Sequence, residues 1–491
     1  MQSLLPLFPP VKFKTTQINP IAPKSVPNAD RSRPKMKSTV DLGCEEMEVA
    51  ATSWLKSSRF SRNISLMDGK KHVVVLGGGF GGLEFCKSFH SEDARITLVD
   101  RTNHYLFQPL LYQVATAGLG ATDIAQPIRS ILSDRPDITV LMDEVLDFNL
   151  TERKVFLGEN TLHYDFLVLA MGGRNSYFGH PEWEAFAPGL KSLDDALRIR
   201  SRVLLTFEKA ENDLEGAERE QLMTIVIIGG GPTGVELAGA FSELARTVLR
   251  RDFRHIDPAK ARIILLEGAP VILGQFPPEL SLSAQRQLEA LGVHVRTSTK
   301  VKDIRNGEVE LENGEIIRAA TILWAAGVSA VAMTKKLGVE LDRAGRVKVN
   351  ADLSLPGHPE VFAIGDMALV MGDDGKPVPG VSPAAMQMGR HAAEIIAGQI
   401  RYGPKTPRPP FKYTDKGTMA TIGRSAAVAW LKGLRLSGYP AWLFWLFVHI
   451  VFLIGFRNRL AVLLNWVYAY IGYKRGARII TTGIPEPPET K

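Results

Sequence analysis

A chain of 491 residues is long enough for two or three domains, and 45% apolar with 23% charged residues is a globular balance, which excludes a disordered or fibrous protein. Only two cysteines, Cys44 and Cys86, are present and they lie far apart, so a CxxC redox pair, a disulfide framework and a zinc cluster are excluded and no metal site is expected. The net charge of +7 is uneven: residues 1–70 carry 11 basic and 6 acidic groups, residues 411–491 carry 11 and 3, and the middle is acidic. A basic tail on an acidic body argues against a nucleic-acid surface and suits an anionic lipid surface, although a merely solvated tail fits the charge equally well.

Residues 1–69 hold seven prolines before Lys35, show little periodicity and lack an apolar stretch flanked like a secretory signal. They read as a disordered or targeting extension. Met67 directly precedes the first strand pattern, which leaves an upstream start open as well.

"HVVVLGGGFGGLEFCKSF" gives an apolar strand over residues 72–76, then Gly77, Gly79 and Gly82 in GxGxxG spacing, then a helical pattern. Glycine is needed because the turn is tight and the backbone must approach a pyrophosphate lying on the helix N-terminus. Eighteen residues past Gly82, "ARITLVD" ends a second strand on Asp100, where a carboxylate accepts hydrogen bonds from an adenine ribose. A single such motif also occurs as an incidental glycine turn.

A second copy lies about 152 residues on: "MTIVIIGGGPTGVELAGAF" repeats strand, Gly229, Gly231, Gly234 and helix. "ARIILLEG" then places Glu267 at the end of another strand, past the basic insertion "RTVLRRDFRHIDPAKA". Two independent fingerprints make coincidence improbable. Gly268 and Ala269, rather than arginine, follow Glu267, so a 2′-phosphate would meet an uncompensated carboxylate and NADH is favoured over NADPH.

"EVFAIGDMALV" is a short apolar strand running into Gly365 and Asp366, which alone reads equally well as an exposed turn. "GVSPAAMQMGRHAAEIIAG" predicts a helix with Ser382 at the N-cap, Pro383 at the first helical position and Gly398 just past the end. Its alanines also fit a plain packing helix.

Near the carboxyl end, residues 441–456 form 16 apolar positions and residues 460–473 form 14 interrupted by Asn465. Both fall short of the roughly 20 residues that a membrane span needs. Lys432, Arg435, Arg457, Arg459, Lys474, Arg475 and Arg478 flank them. Trp442, Trp445, Trp466, Tyr468, Tyr470 and Tyr473 are of the types that prefer the headgroup level. The region 436–480 therefore reads as a helical pair lying in the membrane interface on anionic lipid, with a dimer-forming or core helix pair as the alternative. The two glycine fingerprints and the Gly365–Asp366 turn resemble the two-dinucleotide-binding flavoproteins, many of which pass electrons to a cysteine pair; with none here, the resemblance implies an acceptor from outside the protein, and a lipid-soluble quinone suits an enzyme resting on a bilayer.

Together these stretches resemble the two-dinucleotide-binding flavoproteins, and closely the type II NADH:quinone dehydrogenases, the single-subunit kind that pumps no protons. The resemblance runs from about Lys70 to about Ile480. "NHYLFQPLLYQVATAGL" at 103–119 is similar to the family's segment after the second strand, "DFLVLAMGG" and "ATILWAAGV" to its crossover segments, and "WLFVHIVFLIGFRNRL" to its membrane-binding end. It implies an α/β fold of two Rossmann-like dinucleotide-binding domains, the NAD domain inserted in the FAD domain, plus a C-terminal amphipathic helical membrane-binding segment. The expected divisions are an extension 1–69, FAD domain 70–190 and 345–410, NADH domain 191–344, membrane-associating region 411–480 and disordered tail 481–491.

The resemblance further implies non-covalent FAD on Gly77, Gly79, Gly82, Asp100, Asp366, Pro383 and Ala384, with Asp366 on the ribitol and the 382–398 helix aimed at the flavin's N1 and O2 edge. NADH falls to Gly229, Gly231, Gly234, Glu267 and Gly327. Two catalytic residues are implied. Glu236 matches a glutamate near the nicotinamide and flavin, although a solvated helix carboxylate is the plainer alternative. Gln387 belongs to a quinone motif, Ala-Gln-x-Ala-x-Gln, of which "SPAAMQ" keeps Ala385 and Gln387 and replaces the first two residues by Ser382 and Pro383. The expected partners are a membrane quinone, a lipid surface and a second copy in a homodimer. The expected place is peripheral, on the cytoplasmic face of the inner membrane or the matrix or stroma side of an organelle membrane. Two rival functions are a soluble NADH-dependent ferredoxin-type reductase and a flavin-based redox-sensing protein.

Overall fold

The computed structural model describes residues 69–212, 216–431, 433–472 and 477–480. The expectations for 1–68 and for the tail 481–491, with Cys44, Lys432, Tyr473, Lys474 and Arg475, lie outside the described residues. From the amino end the longer elements are β1 (Lys71–Leu76), α1 (Phe80–Ser88), β2 (Ala94–Asp100), β3 (Ile138–Met142), β4 (Phe166–Leu169), α2 (Leu193–Glu211), β5 (Thr224–Ile228) and α3 (Pro232–Glu243). There follow β6 (Arg262–Leu266), α4 (Pro278–Ala290), β7 (Val293–Arg296), β8 (Thr321–Trp324), β9 (His358–Ala363), α5 (Ser382–Tyr402), β10 (Thr418–Gly423), β11 (Ala426–Leu431), β12 (Leu434–Ser437), α6 (Tyr439–Phe452) and α7 (Phe456–Gly472).

β1 is a run of three valines with every residue after Lys71 buried, which only a strand covered on both faces can satisfy. It pairs in parallel with β2 on one side and β4 on the other. The six-stranded sheet runs Ser354–Leu355, β9, β4, β1, β2, β3. The same logic makes β5, buried throughout, the inner strand of a four-stranded sheet ordered β7, β6, β5, β8. Because β9 returns to the first sheet after the second is complete, the second nucleotide fold is an insertion in the first. In both sheets the chain leaves the strand feeding the glycine turn toward one side and later returns to pair on its other side, a reversal of strand order that opens a crevice at the carboxyl ends.

α1 and α5 pack without space for a methyl group: a Cβ on Gly389 would lie 2.4 Å from the Gly81 carbonyl oxygen. Arg390 adds an ion pair to Glu84. Cys86, in α1, is fully buried, and burial pushes its thiol up to about 12, so it packs as a small apolar residue.

The α5 boundaries differ from those expected. Val381, with extended backbone, is the cap, Ser382 is the first helical residue and caps nothing with its side chain, and the helix runs on through Gly398 to Tyr402. Gly403, at φ +90°, ends it. Gly398 is small because the turn after the helix folds back on it, placing the Thr406 methyl 3.3 Å from where its Cβ would be.

Residues 418–437, within the region expected to associate with membrane, form an antiparallel three-stranded sheet, β10, β11, β12. The sheet closes on α3 at Gly239, where a Cβ would meet the Ile422 carbonyl oxygen at 1.6 Å. The helical pair follows, broken at Leu453–Gly455 with Gly455 at φ +83°. No helix among the described residues is long and apolar enough to cross a membrane.

The aromatic residues of this pair are sorted otherwise than expected. Trp442, Trp445 and Trp466 are buried against the body, because 442, 445 and 449 share one helix face. Trp466 Nε1 donates to Gln113 Oε1 at 2.8 Å, latching α7 to the 103–119 stretch. The outward face instead carries Tyr439, Leu443, Phe447, Val451, Leu460, Leu464 and Tyr468.

Candidate active site

At the β1–α1 turn Gly77 stands at φ +104°, and a Cβ there would lie 2.3 Å from the Ala170 carbonyl oxygen; one on Gly82 would lie 1.9 Å from the Gly77 oxygen. These two contacts admit only glycine. Gly79 is different: nothing lies within 4 Å of its Cβ position, so the helix N-terminus opens on free space. That is the cradle a pyrophosphate needs. Asp100 closes its side, accepting from the Gly78 N–H at 2.6 Å and from Thr102 N–H and Oγ1–H at 2.7 and 2.8 Å.

The second turn repeats the first residue for residue. Gly229 stands at φ +110°, with Ala325 carbon 2.6 Å from its Cβ position, a Cβ on Gly234 would lie 1.9 Å from the Gly229 oxygen, and Gly231 faces free space. Glu267 accepts from the Gly230 N–H at 2.6 Å and the Ala269 N–H at 2.7 Å. Lys300 comes near Gly268, and its ammonium pairs with Glu312.

Asp366 lies between the two glycine stretches of the first fold's rim: its Cβ is 3.3 Å from the Cβ position of Gly173 and its Oδ1 is 3.2 Å from that of Gly380. The N-terminal turn of α5 is beside it, with Ala384 buried and the Ala385 oxygen 3.3 Å from the Cβ position of Gly81. The glycine turn, Asp366, Pro383 and Ala384 thus gather at the carboxyl end of the first sheet.

Glu236 sits in α3, half-buried, where the Thr421 N–H at 3.4 Å is a weak partner. Loss of solvation pushes its carboxyl up to about 8, only slightly offset by that hydrogen bond. It therefore holds a proton at neutral pH. Gln387 has both ends of its amide engaged: Nε2 donates to the Thr414 oxygen at 3.0 Å and Oε1 accepts from the Thr414 N–H at 2.9 Å. Two residues on, Lys416 Nζ stands 6.0 Å over the Phe452 ring at the end of α6. Gly327 stands at φ +84° just past β8.

Residues 71–389 match the pyridine nucleotide-disulphide oxidoreductase family, and residues 416–474 match the NDH2 C-terminal domain. The chain is 43% identical over 424 residues to the type II NADH:quinone oxidoreductase Ndh of Mycobacterium tuberculosis, covering 84% of this chain and 90% of that protein. This chain belongs to the type II NADH:quinone oxidoreductases. A second relative, the demethylphylloquinone reductase NdbB of Synechocystis, is 28% identical over 83% of this chain and 98% of its own. The solved structure of NDH2 from Plasmodium falciparum in complex with NADH shares the fold at a TM-score of 0.77 and 20% identity, covering 84% of this chain and all of that one. Type II enzymes are FAD-dependent and use NADH, and the two open glycine turns fit one dinucleotide each.

Sequence reasoning missed three features of this type II enzyme. Lys416 lies in a stretch without periodicity, and the buried His449, stacked on Trp445 at 4.1 Å, was hidden in an apolar run. Burial lowers the His449 imidazole to about 4, which keeps it neutral. Phe178 gave no signal either, since an aromatic residue beside glycine is common. A cavity of about 610 Å³ is lined by Arg246, Arg262, His294 and Arg296. Its arginines are already engaged with backbone oxygens, Glu220 and Glu315 respectively.

Proposed function

We propose that the protein oxidises NADH at the second glycine turn and reduces a membrane quinone beside α5 and α6, with FAD at the first turn between them and no proton pumping. FAD, when bound, supplies the exchange of a hydride for single electrons; the chain supplies position and charge. Gly229, Gly231 and Gly234 hold the dinucleotide backbone and Glu267 takes its adenine ribose, while Gly77, Gly79, Gly82, Asp100, Asp366, Pro383 and Ala384 hold FAD. Gly327 lines the far end of the NADH groove. Glu236 holds a proton near the two rings and is the chain's candidate to hand one toward the quinone.

The observation that carries the quinone step is the 414–416 segment. Gln387 on the flavin-side helix grips Thr414, and Lys416 stands over Phe452, so three residues join the flavin rim to the apolar end of α6. Gln387 thereby acts as a positioning residue for this bridge.

The outward side chains of α6 and α7, with exposed Arg457 at their junction, support a lipid surface on which the protein rests peripherally. The NADH supply puts that surface on the cytoplasmic face of an inner membrane, or the matrix or stroma side of an organelle membrane. A homodimer belongs to the same reading. A soluble ferredoxin-type reductase would have no use for such a face.

The test is NADH oxidation by the full chain in detergent with a short-chain quinone, alongside sedimentation with anionic liposomes. Quinone-dependent turnover together with sedimentation supports the reading. If NADH bleaches the flavin and no quinone restores its colour, the quinone step is wrong and a redox-sensing role takes its place.

A further inference from the structure

The NADH groove has a sided geometry. Glu267 flanks Gly230 from the β6 side, while β8 delivers Ala325 to the other side of Gly229 and leads on to Gly327. If the adenine ribose lies on Glu267, the nicotinamide end passes Gly327.

Phe178 stands on that glycine. Its ring tip lies 2.7 Å from where a Cβ on Gly327 would be, so the ring rests flush on the backbone. It is 67% exposed and has φ +52°, a conformation that L residues with large side chains rarely adopt. The surroundings enforce it. Trp324 Nε1 donates to the Ser176 oxygen at 2.8 Å, Ser176 N–H donates to the Gly327 oxygen at 3.3 Å, and buried Tyr177 donates from its hydroxyl to the Ala187 oxygen at 2.9 Å. Trp324 underlies the group, 5.1 Å from the Tyr177 ring and edge-on to Phe178 at 5.8 Å. A strained backbone held by three anchors, presenting an apolar ring to solvent beside a ligand groove, is a preorganised contact in search of its ligand.

We propose that Phe178 is the wall of the nicotinamide pocket of the NADH site, its ring packing against the nicotinamide and setting the affinity for that group alone. This rests on the second glycine turn being the NADH site. Position 327 is glycine because its φ of +84° strains any side chain, and a Cβ there would also meet the Phe178 ring tip.

Binding of NAD+ and of ADP-ribose, which lacks the nicotinamide, to the FAD-loaded enzyme tests it by calorimetry. For Phe178→Ala the expected result is NAD+ weakened about tenfold, the scale of one aromatic contact, with ADP-ribose within about twofold of the parent. Phe178→Tyr should restore NAD+ binding. Phe178→Gly, which suits the positive φ, should bind like Phe178→Ala while keeping the FAD content and Tm of the parent, separating ring loss from misfolding. Equal weakening of both ligands would mean that Phe178 braces the groove, and no weakening of either would leave the ring outside the site; each overturns the proposal. Failure of the parent enzyme to bind either ligand would instead sink the NADH reading of the turn.

Discussion

Gly389 of α5 lies against Gly81 of α1 so closely that a single methyl group on it would sit 2.4 Å from the Gly81 carbonyl oxygen. This contact sets the N-terminal turn of α5 beside the first glycine turn. Gly389→Ala should therefore push the helices apart, costing about 1–3 kcal/mol of stability and a share of bound FAD. Thermal unfolding and the ratio of flavin to protein absorbance measure both; a variant with parental Tm and full flavin would show that the contact is slack.

Glu236 gives a pH dependence whose sign is fixed. Its folded pKa, about 8, lies above the ordinary carboxylate value, so between the two the folded state binds more protons than the unfolded. Its contribution to stability is fully present below the ordinary value and is lost as pH rises through about 8. Glu236→Gln, which mimics the protonated form, should match the parent at pH 5 and exceed its Tm at pH 9. The same variant should flatten the limb of the quinone-reduction profile near pH 8. Parallel Tm curves across pH would refute the raised pKa.

Gln387→Ala releases Thr414 from two hydrogen bonds and loosens the bridge to Lys416. The KM for quinone should rise about tenfold, the weight of roughly 1.4 kcal/mol. The rate at which NADH bleaches the bound flavin should hold within about twofold. A fall in flavin bleaching with unchanged KM would place Gln387 on the NADH side instead.

The C-terminal helices offer two contrasting substitutions. Phe447 is 67% exposed, so Phe447→Glu should leave Tm nearly unchanged and abolish sedimentation with liposomes. Trp445 is 1% exposed, so Trp445→Ala should cost about 3–5 kcal/mol and unfold the end of the chain. If both variants keep liposome binding and Tm, the outward face does not hold lipid and the inward one does not hold the helices to the body.

With the adenine ribose on Glu267 as proposed, Glu267→Gln would remove a charge that opposes a 2′-phosphate while keeping an acceptor for the Gly230 N–H. With Lys300 close by, use of NADPH relative to NADH should rise about tenfold, read as the ratio of kcat/KM values. An unchanged ratio would locate the discrimination elsewhere.

The two glycine turns and their acids were legible in the sequence because the contacts that shape them are local. A glycine forced by a carbonyl oxygen five residues away, as at Gly82, and an acid at the end of the next strand leave their mark within 23 residues of chain at the first turn and 38 at the second. The apolar end of the chain was legible as two short helices for the same reason. What the sequence did not carry is direction. Trp442, Trp445 and Trp466 belong to interface-loving types, yet they face inward, because the body offers Tyr112 and Gln113 to pack and bond against. The β10–β12 sheet was hidden because it packs on Gly239 of a helix some 180 residues earlier. Gln387 reads as a candidate for the quinone, and its pairing through both ends of its amide with Thr414, 27 residues on, left no mark in the sequence. Spacing along the chain decides which backbone can cradle a phosphate; only the packing of distant elements decides which side chains remain free to meet a ligand or a membrane, since those contacts are made across hundreds of residues.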